Sequence, residues 1–157
     1  MKILSILFLV TLVCGQRSFS QNYSADKVAD RYLDSIYKLY KKQNKRLLKT
    51  VNYVDSTETY GTNKNKTILT SVSVSTTINN IESELTEYMY YNGELFLIHV
   101  LKSQKRKVIG FNRKGVMYLF KSQKLIAKYG DSSDFAEAQV LYEKSVIYFL
   151  KGRTWLE

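Results

Sequence analysis

The sequence predicts an α+β domain in which an N-terminal helix, an antiparallel meander sheet of about seven strands and a C-terminal helix follow a cleaved signal peptide. Three observations carry this prediction. Asn92-Gly93 sits between two runs rich in aromatic and branched residues, Glu84 to Tyr91 and Glu94 to Leu101. A two-residue turn of that kind needs φ > 0 at both central positions, which Asn and Gly supply at little cost. Residues 68 to 78 alternate, with Ile68, Thr70, Val72, Val74, Thr76 and Ile78 on one face and Leu69, Ser71, Ser73, Ser75 and Thr77 on the other, the period of a half-buried strand. Segments of helical period stand on both sides of this strand-rich middle.

Residues 1 to 20 have the parts of a secretory signal: Lys2, the apolar run Ile3 to Val13, and Ser18-Phe19-Ser20 before Gln21. The run is shorter than the roughly 20 residues that span a bilayer. Cys14 would be the acylation site of a lipoprotein, but Val13 stands where a small residue is required, so lipid anchoring ranks behind cleavage at Gln21. Retention as an uncleaved anchor is the other alternative. Removing twenty of the 157 residues leaves 137, residues 21–157, enough for one domain with its own core. No cysteine would remain, so packing rather than a disulfide framework must hold it. Cleavage also removes Lys2 and Arg17, the only charged residues of the segment, and lowers the net charge from +10 to +8. Such a surface attracts polyanions. An exported chain would meet an envelope protein or an anionic surface polymer or lipid before it met nucleic acid. The same charge also suits a merely well-solvated surface.

In chain order, Ser24 and Asp26 suit the start of a helix over about 24 to 43, whose stripe is Ala25, Ala29, Tyr32, Leu33, Ile36 and Tyr40 and whose end is marked by Lys41, Lys42, Lys45 and Arg46. Leu47 to Tyr60 reads as one half-buried strand, closed by a polar turn from Gly61 to Lys66. The Ser/Thr-rich strand at 68 to 78 carries little charge and is expected to be paired on both sides. With Tyr91 opposite Glu94, an unbroken hairpin register sets Tyr90 against Leu95, Met89 against Phe96, Tyr88 against Leu97 and Leu85 against Val100. Both faces are then apolar, so each should be covered. A basic loop from Lys102 to Lys107, a short strand Val108 to Phe111 and a hairpin around Lys121 to Lys124 follow. A shift of thirty residues lays Tyr88 to Leu95 over Tyr118 to Leu125, matching aromatic and Leu positions. Gly130 ends the sheet. Asp134 caps a second helix with Glu137, whose stripe is Phe135, Ala138, Tyr142, Val146, Phe149 and Leu150 and whose stop is Gly152. A final strand at Ser145 to Leu150 is the alternative, given its branched and aromatic residues.

The inventory for catalysis is thin. The sequence holds one histidine, scattered single glycines and no G-x-S-x-G elbow. His99, expected across from Thr86, is a packing or hydrogen-bonding residue or, alternatively, a base. Asp26, Asp30 and Asp34 line one solvated helix face. Glu82, Glu84, Glu87 and Glu94 surround the hairpin, where two facing carboxylates would be the minimum for glycoside hydrolysis. No cofactor or metal site is indicated. Surface recognition remains: Tyr88, Tyr90 and Tyr91 with Lys102, Lys105, Arg106, Lys107, Arg113 and Lys114 form a candidate aromatic and cationic platform, against the competing role of the tyrosines as core.

The Ser18-Phe19-Ser20-Gln21 end of the signal, the first helix and the stretch Tyr88-Met89-Tyr90-Tyr91-Asn92-Gly93-Glu94-Leu95 together resemble small exported proteins of flavobacteria and their relatives. Tyr90 to Leu95 is also similar to one unit of a MORN-type repeat, a family of interaction modules in lipid or protein contact, although the second copy here has Ser122-Gln123 in place of Asn-Gly. These resemblances imply an exported interaction domain and carry no binding residues over. The expectation is a non-enzymatic binding module at the bacterial cell envelope, with a polyanion binder and a hydrolase using carboxylates or His99 as alternatives.

Overall fold

The computed structural model describes residues 27–43, 45–78, 81–102, 115–130 and 135–156. Helix α1 spans Lys27–Lys42. Seven strands follow, β1 (Lys45–Asn52), β2 (Ser56–Asn63), β3 (Leu69–Ile78), β4 (Ile81–Tyr91), β5 (Glu94–Lys102), β6 (Gly115–Lys121) and β7 (Lys124–Tyr129), and helix α2 (Phe135–Arg153) comes last. The strands form one open antiparallel sheet in sequence order. Alternation sorts their side chains to two faces. Tyr60, Val72, Tyr88, Tyr90, Ile98, Tyr118 and Phe120 bury with Ala138 and Leu141 of α2. Met89, Phe96, Leu97, Leu119 and Ala127 bury with Ala29 and Tyr40 of α1. The Ser/Thr-rich strand β3 lies between β2 and β4, paired on both sides. The open edges carry Lys45, Arg46 and Lys49 on β1 and Lys124 and Lys128 on β7, charges that discourage pairing with a further strand.

Leu47 to Tyr60 is two strands, not one. The chain turns at Tyr53 to Asp55, where the Tyr53 N–H donates to the Ser56 carbonyl at 2.8 Å and the Thr57 hydroxyl donates to Asn52 Oδ1 at 3.2 Å. Asn, Asp and Ser make such turns through their own side chains. The signal was masked because β2 buries Glu58, Tyr60 and Thr62, two of them polar, and so lacks an apolar alternation. The expected strand Val108 to Phe111 lies outside the described residues.

The central hairpin keeps its turn but not its unbroken register. Tyr91 pairs with Glu94 and Tyr90 with Leu95, yet Met89 pairs with Leu97. Phe96 is an extra residue on β5, a β-bulge that turns both Phe96 and Leu97 toward α1, where Phe96 meets the Tyr40 ring edge-on at 5.2 Å. Every later partner moves by one: Tyr88 faces Ile98, Leu85 faces Leu101, and Glu87 rather than Thr86 faces His99. The hairpin thirty residues on repeats this construction, with Lys121 opposite Lys124, Phe120 opposite Leu125, Leu119 opposite Ala127, and Ile126 as the extra residue. Its turn holds Ser122 and Gln123 at φ 49° and 66°, as the first holds Asn92 and Gly93 at 51° and 82°. The weak sequence repeat is therefore a repeat of turn and bulge.

Residues 145 to 150 are helical, not a final strand. The buried side of α2 coincides only in part with the expected stripe, of which Ala138, Tyr142 and Phe149 pack on the sheet. It carries Ala138, Leu141, Ser145 and Gly152, while Val140, Val146, Ile147 and Leu150 are exposed. Gly152 lies within the helix instead of stopping it, and a Cβ there would come within 2.8 Å of Leu69 and 3.0 Å of Tyr60. Small residues seven apart, at 138, 145 and 152, recur on one face every two turns. They let the helix sit close on a sheet face crowded with tyrosine rings.

Candidate functional site

Three of those tyrosines fasten α2 to the sheet. In the middle, the buried Tyr90 hydroxyl donates to the Ser145 carbonyl at 2.8 Å, across 55 residues of chain. Near the helix end, Tyr60 donates to Glu58 Oε2 at 2.7 Å, and Lys151 of α2 donates to the same oxygen at 2.5 Å and also contacts the Tyr53 hydroxyl. Near the helix start the roles are exchanged: Glu137 is on the helix, accepting from Tyr118 at 2.6 Å and from Lys102 at 3.3 Å. Burial raises the Tyr60 and Tyr90 hydroxyls, and the bond to Glu58 raises Tyr60 further. Burial alone would lower the Lys151 ammonium, but its bonds to Glu58 and Tyr53 outweigh this and raise it. That ammonium stays protonated and is no nucleophile at neutral pH. Tyr88 packs its ring on Tyr148 at 5.3 Å.

Among the described residues, the three tyrosines of the expected aromatic platform do not share one exposed face. Tyr88 and Tyr90 are buried beneath α2, whereas Tyr91 is half-buried on the α1 side. Lys102 is exposed but paired with Glu137. Lys105, Arg106, Lys107, Arg113 and Lys114 lie outside the described residues. The reason is the alternation itself: consecutive residues Tyr90 and Tyr91 point to opposite faces.

On the α1 side the helix buries the row Met89, Leu97, Leu119 and Ala127. The next row, traced through the pairings, runs Thr50, Thr59, Ser73, Glu87, His99, Met117 and Tyr129. Apart from the exposed Thr50 its members are half-buried, as on a sheet face reached by water. Glu87 Oε2 stands 3.5 Å from His99 Nδ1, and Gly115 gives the imidazole room, since a Cβ there would lie 2.6 Å from Nε2. The order of this row decides its chemistry. Ser73 is separated from His99 by Glu87, two strand spacings or about 10 Å away, so His99 does not reach its hydroxyl. Glu94, four positions along from Glu87 in the pairing, is roughly 13 Å off, too far for a glycosidase carboxylate pair. At the ends of the row, Tyr129 donates to Asp30 at 2.7 Å and burial pushes its hydroxyl up to about 12. Burial likewise pushes Tyr40 up to about 12, against the opposing bond to Ser71.

A cavity of about 170 Å³ lies between α2 and the two hairpin tips, walled by Tyr90, Leu95, Tyr142, Val146 and Phe149. Ligand pockets usually enclose about 300 Å³ or more. Among the described residues no three His, Cys, Asp or Glu side chains converge as a metal cage, and no helix is long and apolar enough to cross a membrane.

Sequence reasoning missed a cationic corner. Lys41 and Lys42 end α1, Lys45 and Arg46 begin β1, and because Lys45 pairs with Asn63, the turn holding Lys64 and Lys66 lies at the same end of the sheet. All six are exposed. The run from 41 to 46 was legible as a helix end, but its neighbour at 64 to 66 was not, because the β1–β2 hairpin was hidden. Comparison with protein families, with curated proteins and with solved structures found no match for this chain.

Proposed function

We propose that this protein is a small exported, non-enzymatic binding module of the bacterial cell envelope, acting through its open surfaces rather than an enclosed site. The observation that carries this reading is the use made of the reactive groups. Glu58, Glu137, Lys151, Tyr60, Tyr90 and Tyr118 are spent fastening α2 to the sheet, while the face beside α1 is broad, hydroxyl-lined and half open. Fractionation of source cells tests the first half of the proposal: the chain is expected in the envelope or medium with an intact mass beginning at Gln21, and a full-length cytoplasmic species would overturn it.

The contact between Glu87 and His99 favours one second reading, acid–base catalysis on the open face. A hydrolase activity lost in both Glu87→Gln and His99→Ala, with a rate that titrates with pH, would establish it in place of the binding module.

A further inference from the structure

We infer that the corner formed by the end of α1, the start of β1 and the β2–β3 turn docks on an anionic lipid surface. This rests on the binding-module reading and names its partner. Charge is the first ground. Lys41, Lys42, Lys45, Arg46, Lys64 and Lys66 converge there, and no Asp or Glu occurs from 35 to 54 or from 59 to 81. Glu87 is the carboxylate whose field reaches Lys45 from the sheet face. Like charges gathered this closely repel one another, a cost that an anionic partner removes.

The second ground separates lipid from other polyanions. Leu39, Leu47 and Ile68 are 44%, 64% and 37% exposed, and all three stand among these cations: Leu39 one turn before the end of α1, Leu47 next to Arg46, and Ile68 at the end of the Lys64–Lys66 turn, its N–H bonded to Asn63 Oδ1 at 3.1 Å. Apolar side chains ringed by lysines gain nothing from a sugar chain or a phosphodiester backbone. They gain from the boundary between headgroups and acyl chains, where apolar burial and attraction to anionic lipid add. The corner also has a rigid base. Lys45 lies over the Tyr40 ring at 3.2 Å and Lys41 over Tyr37 at 4.6 Å, and the two rings stack at 6.1 Å.

The test is sedimentation of the chain, as recovered from its source, with vesicles of phosphatidylcholine alone and with vesicles containing phosphatidylglycerol. Binding is expected only to the anionic vesicles and to weaken with salt. Each basic residue near such a surface is worth about fivefold in affinity, so Lys42→Glu/Arg46→Glu/Lys66→Glu, which removes three cations and adds three anions, should lose at least about a hundredfold. The control Lys27→Glu/Lys124→Glu/Lys144→Glu has the same net charge, with its reversals away from the corner, and should lose far less. Leu47→Ser should weaken vesicle binding severalfold and leave binding to heparin unchanged. Equal losses in the two triple variants would overturn the corner in favour of a net-charge effect. An unchanged affinity in Leu47→Ser would overturn lipid in favour of a general polyanion. Failure to bind anionic vesicles would overturn the inference outright, while recovery of the same chain in an envelope fraction through another component would leave the binding-module reading standing.

Discussion

Lys151→Met isolates the fastening at the end of α2. Methionine keeps the apolar stem of the lysine and removes only its charge. Glu58, a residue 8% exposed in the intact protein, is then left with Tyr60, and more distantly Tyr53, as its remaining donors. Removing one partner of a fully buried pair costs about 3 to 5 kcal/mol. Here the lysine side chain is 32% exposed, so water reaches the vacated position and the expected cost falls to about 2 to 3 kcal/mol. For a domain of this size that is a Tm loss of roughly 10 °C. Urea denaturation should show a lower midpoint with an unchanged m-value. Glu58→Gln alone should cost about 1 kcal/mol, since the amide oxygen still accepts from Tyr60. The double variant Glu58→Gln/Lys151→Met should cost no more than about 1.5 kcal/mol, because no charge is stranded. The singles and the double thus predict a coupling of roughly 2 kcal/mol. A Lys151→Met cost below about 0.5 kcal/mol, or a double variant as damaged as the sum of the singles, would refute the account of Lys151 as a clasp.

Three further outcomes are expected. Tyr40, pushed up to about 12, and Tyr88 and Tyr90, also raised by burial, all start from an ordinary value of 10.0. Stability should therefore be level below about pH 9 and fall from pH 10 upward as only the unfolded chain releases these protons, each hydroxyl adding a slope of about 1.4 kcal/mol per pH unit. Absorbance at 295 nm should show them ionising together with loss of the circular dichroism signal, and ionisation near pH 10 in a folded chain would contradict their burial. Gly152→Ala should destabilise by about 1 to 3 kcal/mol despite the better helix propensity of alanine, because the added methyl meets Leu69 and Tyr60; thermal melts would show it, and the same substitution should cost less when measured in a Leu69→Ala background than in the unaltered chain. Ser122→Asn/Gln123→Gly, which gives the second hairpin the turn of the first, should raise stability by about 1 kcal/mol in urea denaturation, since two residues at positive φ lose their strain.

What could be read from the chain alone followed from local rules. Asn92-Gly93 announced its turn, the alternation at 68 to 78 its strand, and the spacing of Ala29, Leu33, Ile36 and Tyr40 the inward face of α1. The side of α2 that meets the sheet was legible in part: the stripe included Ala138, Tyr142 and Phe149, but counting large apolar residues added Val146 and Leu150, whereas contact with tyrosine rings selects Ser145 and Gly152. The Glu87–His99 contact escaped for a different reason. It depends on one extra residue at Phe96, and a one-residue slip changes every partner beyond it. The tyrosine platform looked plausible while Tyr88, Tyr90 and Tyr91 were adjacent letters; in the sheet the first two belong to the core. The cationic corner needed knowledge of which turns meet at one end of the sheet.

The order of the strands has a consequence for how the chain reaches its final form. Because β1 to β7 pair strictly with their sequence neighbours, the hairpins can zip up locally as the chain becomes available, with little loop entropy to overcome. The face lined by Tyr60, Tyr88, Tyr90 and Tyr118 stays uncovered meanwhile, since its cover is α2. Whether the chain emerges from a ribosome or from a translocation pore, its amino end comes first, and the sheet must wait with that face bare until residues 135 to 153 arrive. Interruption shortly before this point would leave that tyrosine-lined face bare, the kind of exposed apolar surface that aggregates or is proteolysed, so arrival of α2 is what closes the sheet.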